Sequence, residues 1–387
     1  MKLIVNARVL PVSAAPIENG AVLVDGTKIA GVGEHLGAPE GTEIIDARGL
    51  TLTPGLVDAH THITTSEEME LYGMSDINEM TNPVTPGLSI LDSIYVRDKS
   101  VAESREKGGV TCVQTLPGSA NVIGGTGAII KLKRASVVEE MLVKSPSCMK
   151  AALGENPIRV YKDNGHRTPT TRMGNAYIMR KALQDARNYL EKKKCRKDGE
   201  AFETNLDMEA LSLVLDRKIK LSVHSHRADD ICTAVRIAEE FGLDFTIEHC
   251  TEGQFIAPWL AAHHVKAAVG PTFGVPVKPE LRHQGWETLL ALRDAGVHIC
   301  ILTDHPVIPL YGQIVSASLA ARAGLTEAEA LRCVTLSSAE HLGIEDRVGS
   351  IDAGKDADLV LWNGNPLDTR CHPVMTMIDG TVEYRAL

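Results

Sequence analysis

The feature that most limits the fold of this 387-residue chain is the alternation of short apolar runs with helix-like stretches between residues 54 and 343. Each run is long enough for one buried strand, and such runs are typical of parallel strands covered on both faces. Eight runs occur, at residues 55–59, 110–115, 128–132, 149–153, 221–224, 245–249, 265–269 and 298–302. Stretches with helical spacing lie at residues 89–106, 171–194, 207–217, 229–241, 287–295, 311–323 and 326–334, the last with Thr326 as its N-cap. Eight strand–helix units predict a (β/α)₈ barrel of the TIM type.

The two ends of the chain follow a different pattern from the middle. Short strand-like segments fill both ends, and each end contains an Asp-Gly pair, Asp25-Gly26 or Asp379-Gly380, that favours a two-residue turn between strands. Because β-rich ends flank an α/β middle, we expect both termini to assemble into one small β-sandwich. The predicted domains are a composite β-sandwich of residues 1–53 and 344–387 and a barrel of residues 54–343.

Charge and cysteine usage limit the partners and the compartment. The formal net charge is −10, so the chain has no basic footprint for nucleic acid or anionic lipid. The eight cysteines are scattered without a CxxC pair, which is typical of reduced thiols in a cytoplasm. The first apolar run is too short for a signal peptide. We expect a cytoplasmic protein that binds a small molecule, and neither nucleic acid nor a membrane; a homo-oligomer is left open.

Histidine and aspartate residues follow four of the predicted strands. The first strand leads into Asp58-Ala59-His60-Thr61-His62, the fifth into His224-Ser225-His226, the sixth ends at His249, and the eighth precedes Asp304-His305. Side chains at i and i+2 of an extended chain point to the same side, so His60 and His62 form a pair that suits zinc and similar divalent ions. The carboxyl ends of barrel strands meet at one rim, where catalytic groups lie. The sequence therefore predicts a metal centre at this rim.

The order of these residues, HxH followed by His, His and Asp, resembles that of the amidohydrolase superfamily. Its members are metal-dependent hydrolases with a (β/α)₈ barrel and a β-sandwich built from both chain ends. The segments that carry the resemblance are TPGLVDAHTH at 53–62, GVTCV at 109–113 and GSIDAGKDADLV at 349–360. Within the superfamily the chain is most similar to an imidazolonepropionase-like or prolidase-like branch, through GENP at 154–157, TRMG at 171–174, HRADDI at 226–231 and DHPVIP at 304–309.

This resemblance implies a role for each rim residue. His60 and His62 correspond to ligands of a buried metal, His224 and His249 to ligands of an outer metal, and Asp304 to a ligand that is also the general base. The implied cofactors are two divalent ions, with zinc favoured and iron or manganese as alternatives. Two such ions would activate a bridging water and polarise the substrate carbonyl, leaving Asp304 to move the proton to the leaving nitrogen.

The bridging ligand from the fourth strand has two candidates. Superfamily members with two metals often use a carboxylated lysine there, and Lys150 lies in an otherwise apolar strand, where an unpaired ammonium is costly to bury. Other members use a glutamate, and Glu155 closes the same strand. We favour a carboxylated Lys150, with Glu155 then contacting substrate or supporting a ligand. A lysine that merely extends its amine to solvent is the structural alternative.

The residue three positions after the fifth-strand histidine bears on the reaction. Deaminases and imidazolonepropionases of the superfamily carry a proton-shuttling glutamate there, whereas this chain has Arg227, which can hold a carboxylate but cannot act as a base. The favoured function is hydrolysis of an amide, peptide or cyclic amide C–N bond in a small carboxylate-bearing substrate. The enzyme would be a hydrolase of non-peptide C–N bonds or a dipeptidase. The other predicted substrate contacts are His226, His305, Arg172 and Tyr161, each with a structural role as the alternative.

Two other functions are open on the sequence alone. A deaminase or an imidazolonepropionase-type hydrolase of cyclic amides shares the ligand set but is disfavoured by Arg227. A non-catalytic scaffold with the amidohydrolase fold would have lost metal ligands, whereas every ligand position is filled in this chain.

Overall fold

The computed structural model describes residues 1–65, 75–163, 167–197 and 201–386. Within these ranges the chain begins with the strands β1 Lys2–Val9, β2 Ile17–Asp25, β3 Lys28–Gly33, β4 Glu43–Asp46 and β5 Thr51–Pro54. The strands of the middle are β6 Leu56–Thr61, β7 Val110–Thr115, β8 Ile123–Thr126, β9 Ala128–Lys131, β10 Leu142–Lys144, β11 Cys148–Ala152, β12 Lys220–Ser225, β13 Phe245–His249, β14 Lys266–Val269 and β15 His298–Ile301. The last strands are β16 Leu359–Trp362, β17 Pro373–Ile378 and β18 Thr381–Arg385.

The described α-helices lie in the middle of the chain. They are α1 Lys99–Lys107, α2 Glu155–Asp163, α3 Arg172–Lys194, α4 Leu206–Leu215, α5 Ala228–Phe241, α6 Ala257–Ala262, α7 Trp286–Asp294, α8 Gln313–Ala323, α9 Glu327–Cys333 and α10 Leu336–Leu342. The predicted cap of α9 is confirmed, because the Thr326 hydroxyl accepts from the Glu329 backbone and the Glu329 carboxylate accepts from that of Thr326. None of the described helices combines the length and apolar character needed to cross a bilayer.

The single helix predicted over residues 89–106 is wrong in extent. A short 3₁₀ turn, Ile90–Ser93, is followed by a turn at residues 95–98, and α1 begins only at Lys99. The cause is Asp98, whose carboxylate accepts a hydrogen bond from the Ser100 backbone N–H at 2.9 Å and so caps the helix at that point.

Strands from both chain ends form one eight-stranded sheet, which we call the terminal sheet. Its order is β18-β17-β16-β5-β1-β2-β3, with β4 paired to β1. The N- and C-terminal halves join where β16 runs antiparallel to β5. The Asp379-Gly380 turn has φ angles of 48° and 71°, as a type I′ turn requires, and a Cβ on Gly380 would lie 1.9 Å from the Gly26 carbonyl oxygen. Both termini therefore contribute strands to one sheet, and the composite β-sandwich stays a prediction.

The middle of the chain has an α/β fold built on two sheets. One sheet has the order β10-β9-β7-β6 and the other β15-β14-β13-β12-β11-β8. Strands β11 to β15 are parallel to one another, as are β6 and β7. The third predicted strand is an exception, because β8 and β9 run antiparallel to β11 and β7. The chain between β7 and β9, residues 116–127, contains β8 and no helix, so it lacks the helical crossover by which parallel strands are usually joined.

The two sheets are connected at both edges. Gly127 alone separates β8 from β9, so one stretch of chain passes from the second sheet into the first. At the opposite edge, the Asp304 N–H donates to the His60 carbonyl oxygen at 3.2 Å and the His62 N–H to that of His305 at 2.9 Å. Within the described residues these contacts connect the two sheets without one continuous closed ladder, and the (β/α)₈ barrel stays a prediction. They bring the carboxyl ends of β6, β12, β13 and β15 to one face.

Candidate metal centre

The predicted ligand residues converge at this face. His60 lies in β6 and His249 ends β13, and their ring centroids are 5.0 Å apart. The ring of His224 in β12 is 4.3 Å from that of His249, and the ring of His62 is 5.4 Å from that of His60. Asp304 lies just beyond β15, and its carboxylate contacts His60 and His62. The four strand ends identified in the sequence therefore supply one cluster.

The first ligand group consists of His60, His62 and Asp304, whose ligand atoms lie within 4.8 Å of one another. Asp304 Oδ1 is 3.2 Å from His62 Nε2 and 3.5 Å from His60 Nε2. The Nδ1 atoms of both rings have partners of their own. His62 Nδ1 donates to the Leu116 carbonyl oxygen at 2.7 Å, and His60 Nδ1 is 3.2 Å from Glu248 Oε2. A neutral histidine that donates from Nδ1 presents a lone pair at Nε2, so both rings turn a ligand atom toward Asp304.

The second ligand group consists of His224, His226 and His249, again with ligand atoms within 4.8 Å of one another. His249 Nδ1 donates to the Gly270 carbonyl oxygen at 2.8 Å, and His226 Nδ1 is 2.7 Å from Thr251 Oγ1. Among the described residues, His249 Nε2 and His224 Nδ1 are buried without a hydrogen-bond partner. Because buried polar atoms are rarely left unpaired, this group is suited to an ion that accepts nitrogen lone pairs.

Burial keeps His60, His224 and His226 neutral. It lowers the pKa of His60 to about 3 and places the pKa values of His224 and His226 well below their ordinary range. Although burial raises the pKa of Asp304, the neighbouring histidines, His249 first, hold it well below its usual value. Neutral imidazoles beside an ionised carboxylate are a donor set that divalent transition metals prefer. The residues present therefore fit the ions that the sequence predicts.

Two ligand residues have an unusual backbone conformation. His249 and Asp304 have φ angles of 73° and 53°, in the left-handed region where residues other than glycine are uncommon. Such conformations cost about 1–3 kcal/mol each and cluster at functional sites. The chain therefore leaves the extended conformation at the two positions where β13 and β15 deliver a ligand.

Lys150 and Glu155 differ in their relation to the ligand groups. Lys150 lies in β11 and is 1% exposed, so its amine does not extend to solvent, and the structural alternative is wrong. Its Nζ is 3.1 Å from His60 Nε2, and burial lowers the pKa of its ammonium to about 8. Glu155 begins α2, and its backbone N–H donates to Glu280 Oε2 at 3.0 Å. Of the two candidates, the structure brings Lys150 into contact with the first ligand group.

The two arginines predicted to contact substrate are held by aspartates. Arg227 donates two hydrogen bonds of 2.9 Å to Asp229, two residues further along the chain. Arg172, at the start of α3, donates to Asp230 at 2.9 Å. Each guanidinium thus has a structural partner in the structure, and the substrate contacts of both residues stay predictions.

The remaining predicted contacts are buried side chains. Tyr161 donates to Asn121 Oδ1 at 2.6 Å, and His305 Nδ1 accepts from the Leu310 backbone N–H at 3.0 Å. His226, which the sequence assigned to substrate or to a supporting contact, lies inside the second ligand group. Its position makes it a candidate ligand on the same footing as its neighbour in β12.

Sequence reasoning missed Glu248, which lies behind the first ligand group. Its carboxylate is fully buried, 3.2 Å from His60 Nδ1 and 3.2 Å from His341 Nε2, and accepts from the hydroxyls of Ser222 and Thr246 at 2.8 and 2.7 Å. Although burial raises the pKa of Glu248, the two histidines lower it well below its usual value. The available signal was a carboxylate within an apolar strand, immediately before a predicted ligand.

A second overlooked set, Lys278, Glu280 and Asn156, lies beside the second ligand group. Glu280 Oε1 is 3.9 Å from His224 Nε2 and 3.8 Å from His226 Nε2. Lys278 Nζ is 2.8 Å from the same Oε1 and donates to Asn156 Oδ1 at 2.9 Å. The lysine and the glutamate come from the segment after β14, which has no readable pattern, so no local signal marks them.

Comparisons with known proteins agree with this geometry. The model of the amidohydrolase family matches residues 51–382. Amidohydrolase tasK of Hapsidospora irregularis is 30% identical over 94% of this chain, which spans about 40% of that protein's length. An imidazolonepropionase of Rhizobium meliloti (strain 1021) is 26% identical over 90% of this chain and 86% of that protein.

Solved structures extend the comparison to three dimensions. An amidohydrolase from Thermotoga maritima MSB8 is 44% identical, with each chain covered to 100% and a TM-score of 0.96. A prolidase complexed with N-methylphosphonate-L-proline is 20% identical over 100% of both chains, with a TM-score of 0.62. The second likeness concerns the fold alone.

Proposed function

Because this chain belongs to the amidohydrolase family, we propose that it is a hydrolase that uses two divalent metal ions to cleave a C–N bond in a small carboxylate-bearing substrate. The bond is an amide, a peptide bond of a dipeptide or a cyclic amide. The observation that carries the proposal is the pair of adjacent ligand groups, each with three ligand atoms within 4.8 Å of one another. Relatives named imidazolonepropionase support the branch to which the sequence pointed.

The two groups divide the ligand roles. His60, His62 and Asp304 would hold one ion, and His224 and His249 the other, with His226 within reach of the second. When bound, such ions lower the pKa of a water molecule and polarise a carbonyl group. Zinc is favoured, and imidazole and carboxylate ligands also accept iron and manganese.

Asp304 is the residue to which we assign proton transfer. Its side chain is 18% exposed, against 0% for His60, so it is the member of the first ligand group that substrate can best reach. As an ionised carboxylate it takes the proton of the attacking water at a carboxylate oxygen and returns it to the leaving nitrogen. His62 and Glu248 support this role, the first by its contact with Asp304 and the second by orienting His60.

Lys150 is proposed to carry a carboxyl group and to bridge the two ions, in preference to Glu155. The ammonium group first loses one proton, and the neutral amine then forms a bond from its nitrogen to the carbon of carbon dioxide and loses a second proton. A buried cation thereby becomes a carbamate anion beside His60. The distance of 3.1 Å between Lys150 Nζ and His60 Nε2 supports a role for this lysine beside the first ligand group.

Replacement of this lysine gives the first test. We expect Lys150→Ala to lower the metal content of the purified protein, and millimolar propionate to restore part of the activity by supplying a carboxylate in the vacated volume. Glu155→Gln is the matched control and should keep both metal and activity. Loss of metal in the glutamine variant alone would assign the bridge to Glu155.

The proposal includes the finer features predicted from the sequence. These are a TIM-type barrel over residues 54–343, a composite β-sandwich of residues 1–53 and 344–387, and a cytoplasmic location. Hydrolysis is preferred to deamination because Arg227 occupies the position of the proton-shuttling glutamate, and its guanidinium is bound to Asp229. The expected partner is a small molecule.

Two measurements test the function as a whole. Elemental analysis of the purified protein should find about two divalent ions per chain, because six ligand residues are present. The metal-loaded protein should then hydrolyse members of a library of N-acyl amino acids, dipeptides and cyclic amides. A protein without bound metal would refute the metal-dependent mechanism, and release of ammonia from aminated heterocycles in place of these reactions would identify a deaminase.

A further inference from the structure

We propose that Lys278 binds the carboxylate of the substrate, a contact that the sequence assigned to Arg227. The inference rests on the proposed hydrolase function and names the side chain that selects the substrate class. Lys278 lies in the segment between β14 and α7, next to the second ligand group, whereas Arg227 immediately precedes α5.

The ammonium group of Lys278 is fixed in place by two contacts. Its Nζ lies 2.8 Å from Glu280 Oε1 and donates to Asn156 Oδ1 at 2.9 Å. A lysine ammonium has three N–H donors, so one remains for a substrate oxygen. Glu280 is itself held by the Glu155 backbone N–H at 3.0 Å. Because the ammonium is already positioned, little side-chain freedom is lost when it binds an anion.

Exposure distinguishes the cation from its partner. The side chain of Lys278 is 11% exposed and that of Glu280 is 1% exposed, so substrate meets the ammonium and the carboxylate stays behind it. Asn156 Nδ2 donates to Ser119 Oγ at 2.7 Å. A hydroxyl that accepts in this way still has its own proton to donate, which makes Ser119 a second donor beside Lys278.

The position of Lys278 limits where the carboxylate stands relative to the scissile bond. Glu280 Oε1, which contacts Lys278, is 3.9 Å from His224 Nε2, and Asn156 Nδ2 is 3.3 Å from the same nitrogen. One side chain therefore separates the ammonium from the second ligand group. A carboxylate bound at Lys278 has its scissile amide close by, as in an N-acyl amino acid or the C-terminal residue of a dipeptide.

Arg227 is less suited to this contact. Both of its hydrogen bonds to Asp229 are 2.9 Å long, and they occupy the fork with which a guanidinium would grip a carboxylate. Lys278, in contrast, contacts Glu280 Oε1, which is 3.8 Å from His226 Nε2. Its ammonium group is therefore a cation held beside the second ligand group.

Paired probes isolate recognition of the carboxylate. The probes are N-methylphosphonyl glycine, leucine and proline, each as the free acid and as the carboxamide, titrated calorimetrically into the metal-containing protein. The members of each pair differ only in the carboxylate, so the ratio of their affinities is insensitive to general damage to the site. We expect the wild type to prefer the acids, and Lys278→Met to reduce that preference about tenfold to a hundredfold.

Two further variants guard against indirect effects. Lys278→Met with Glu280→Gln removes both charges and should lose the same preference, which covers the case in which an unpaired Glu280 unfolds the single variant. Lys266→Met is the matched control. Lys266 is the first residue of β14, at the end of the strand away from Lys278, and its amine donates to the Glu340 carbonyl oxygen at 3.0 Å. This variant should leave the acid preference unchanged.

Several results would overturn the assignment. These are an unchanged acid preference in the Lys278 variants, loss of the preference in Arg227→Met alone, or a wild type that binds no acid more tightly than its amide. The proposed function is judged separately, by turnover in the library screen. An enzyme that hydrolyses C–N bonds without acid preference would thus retain its function and refute only the role of Lys278.

Discussion

Two lysines are buried in strands of this protein, and their surroundings are opposite in character. Lys131 at the end of β9 is 2% exposed and Lys150 in β11 is 1% exposed. Lys131 Nζ contacts Asp356 at 2.7 Å, Asp358 at 3.0 Å and also Asp379. Lys150 Nζ instead contacts a neutral histidine nitrogen. Burial lowers the pKa of both ammonium groups, but the three aspartates reverse this for Lys131, whose pKa is raised, whereas that of Lys150 falls to about 8.

The difference indicates that the charged region around Lys131 is structural and that the one around Lys150 is functional. The anchor cluster, which we define as Lys131, Asp356, Asp358 and Asp379, joins β9 to the terminal sheet. Lys131 pairs with all three aspartates, and Lys28, Arg347 and Lys133 pair with two of them from outside the cluster, so these charges hold structure together. The ligand cluster, defined as the two ligand groups with Lys150, keeps nitrogen atoms unpaired and a cation without carboxylate partners in hydrogen-bond contact among the described residues. It is arranged for a bound ion and for chemistry.

The largest expected effect separates activity from stability. Asp304→Asn removes the proposed base with little change in volume, so we expect kcat to fall by at least about a thousandfold while the free energy of unfolding stays nearly constant. Asp356→Asn in the anchor cluster is the converse variant, and it should lose stability and keep turnover, because the ionised carboxylate of Asp356 is held by Lys131 and Lys28. The measurements are kcat on the best library substrate and urea unfolding. An active Asp304→Asn enzyme would remove the distinction between the two clusters.

The two lysines themselves give the next test. Lys131→Met removes the cation shared by three carboxylates and, among the described residues, leaves Asp358 without a cation in contact. We expect it to lower the free energy of unfolding by about 3–5 kcal/mol. Lys150→Met removes an ammonium that has no carboxylate to satisfy it and should change stability by less than about 1.5 kcal/mol. Both values come from urea unfolding of metal-free protein. Equal destabilisation by the two substitutions would contradict the comparison.

Local signals explain which parts of the fold were predictable. Strands such as β14 and β15 are buried along nearly their whole length, so each leaves a short apolar run in the sequence. The direction of β9 left no such mark, because it depends on residues 116–127, which form β8 and no crossover helix. Helix α6 has six residues, too few to establish a helical period.

The same division holds for the candidate site. His60, His224 and Asp304 could be found because a strand end is a local feature and the strands deliver them to one face. Lys278 could not, since its place beside the second ligand group depends on how the segment after β14 folds back. For Arg227 the sequence indicated a positive charge but not the orientation of its guanidinium group, which two hydrogen bonds to Asp229 determine.

Glu248 gives a further test of the ligand cluster, because its buried carboxylate contacts the ligand residue His60 and not the ion itself. Glu248→Gln should weaken metal affinity about tenfold to a hundredfold, since the amide orients His60 less firmly and no longer increases its basicity. Glu340→Gln is the control: its carboxylate contacts His298 at 3.0 Å, which belongs to neither ligand group. Chelator competition measures the affinity, and equal values for both variants would refute the role of Glu248.

The anchor cluster makes a smaller prediction about acid. Although burial raises the pKa of Asp356, Lys131 and Lys28 hold it at about 2, below its ordinary 3.8. A carboxyl whose pKa is lower in the folded chain stabilises the fold above its unfolded pKa and loses that contribution as pH falls from about 4 to about 2. The amount is about 2 kcal/mol for this residue. Urea unfolding of the metal-free protein should therefore show a shallower decline over this range in Asp356→Asn than in the wild type. Lys150→Met should keep the wild-type decline, because among the described residues no carboxylate forms an ion pair with the Lys150 ammonium. A decline as shallow as that of Asp356→Asn would place the acid-sensitive charge in the ligand cluster.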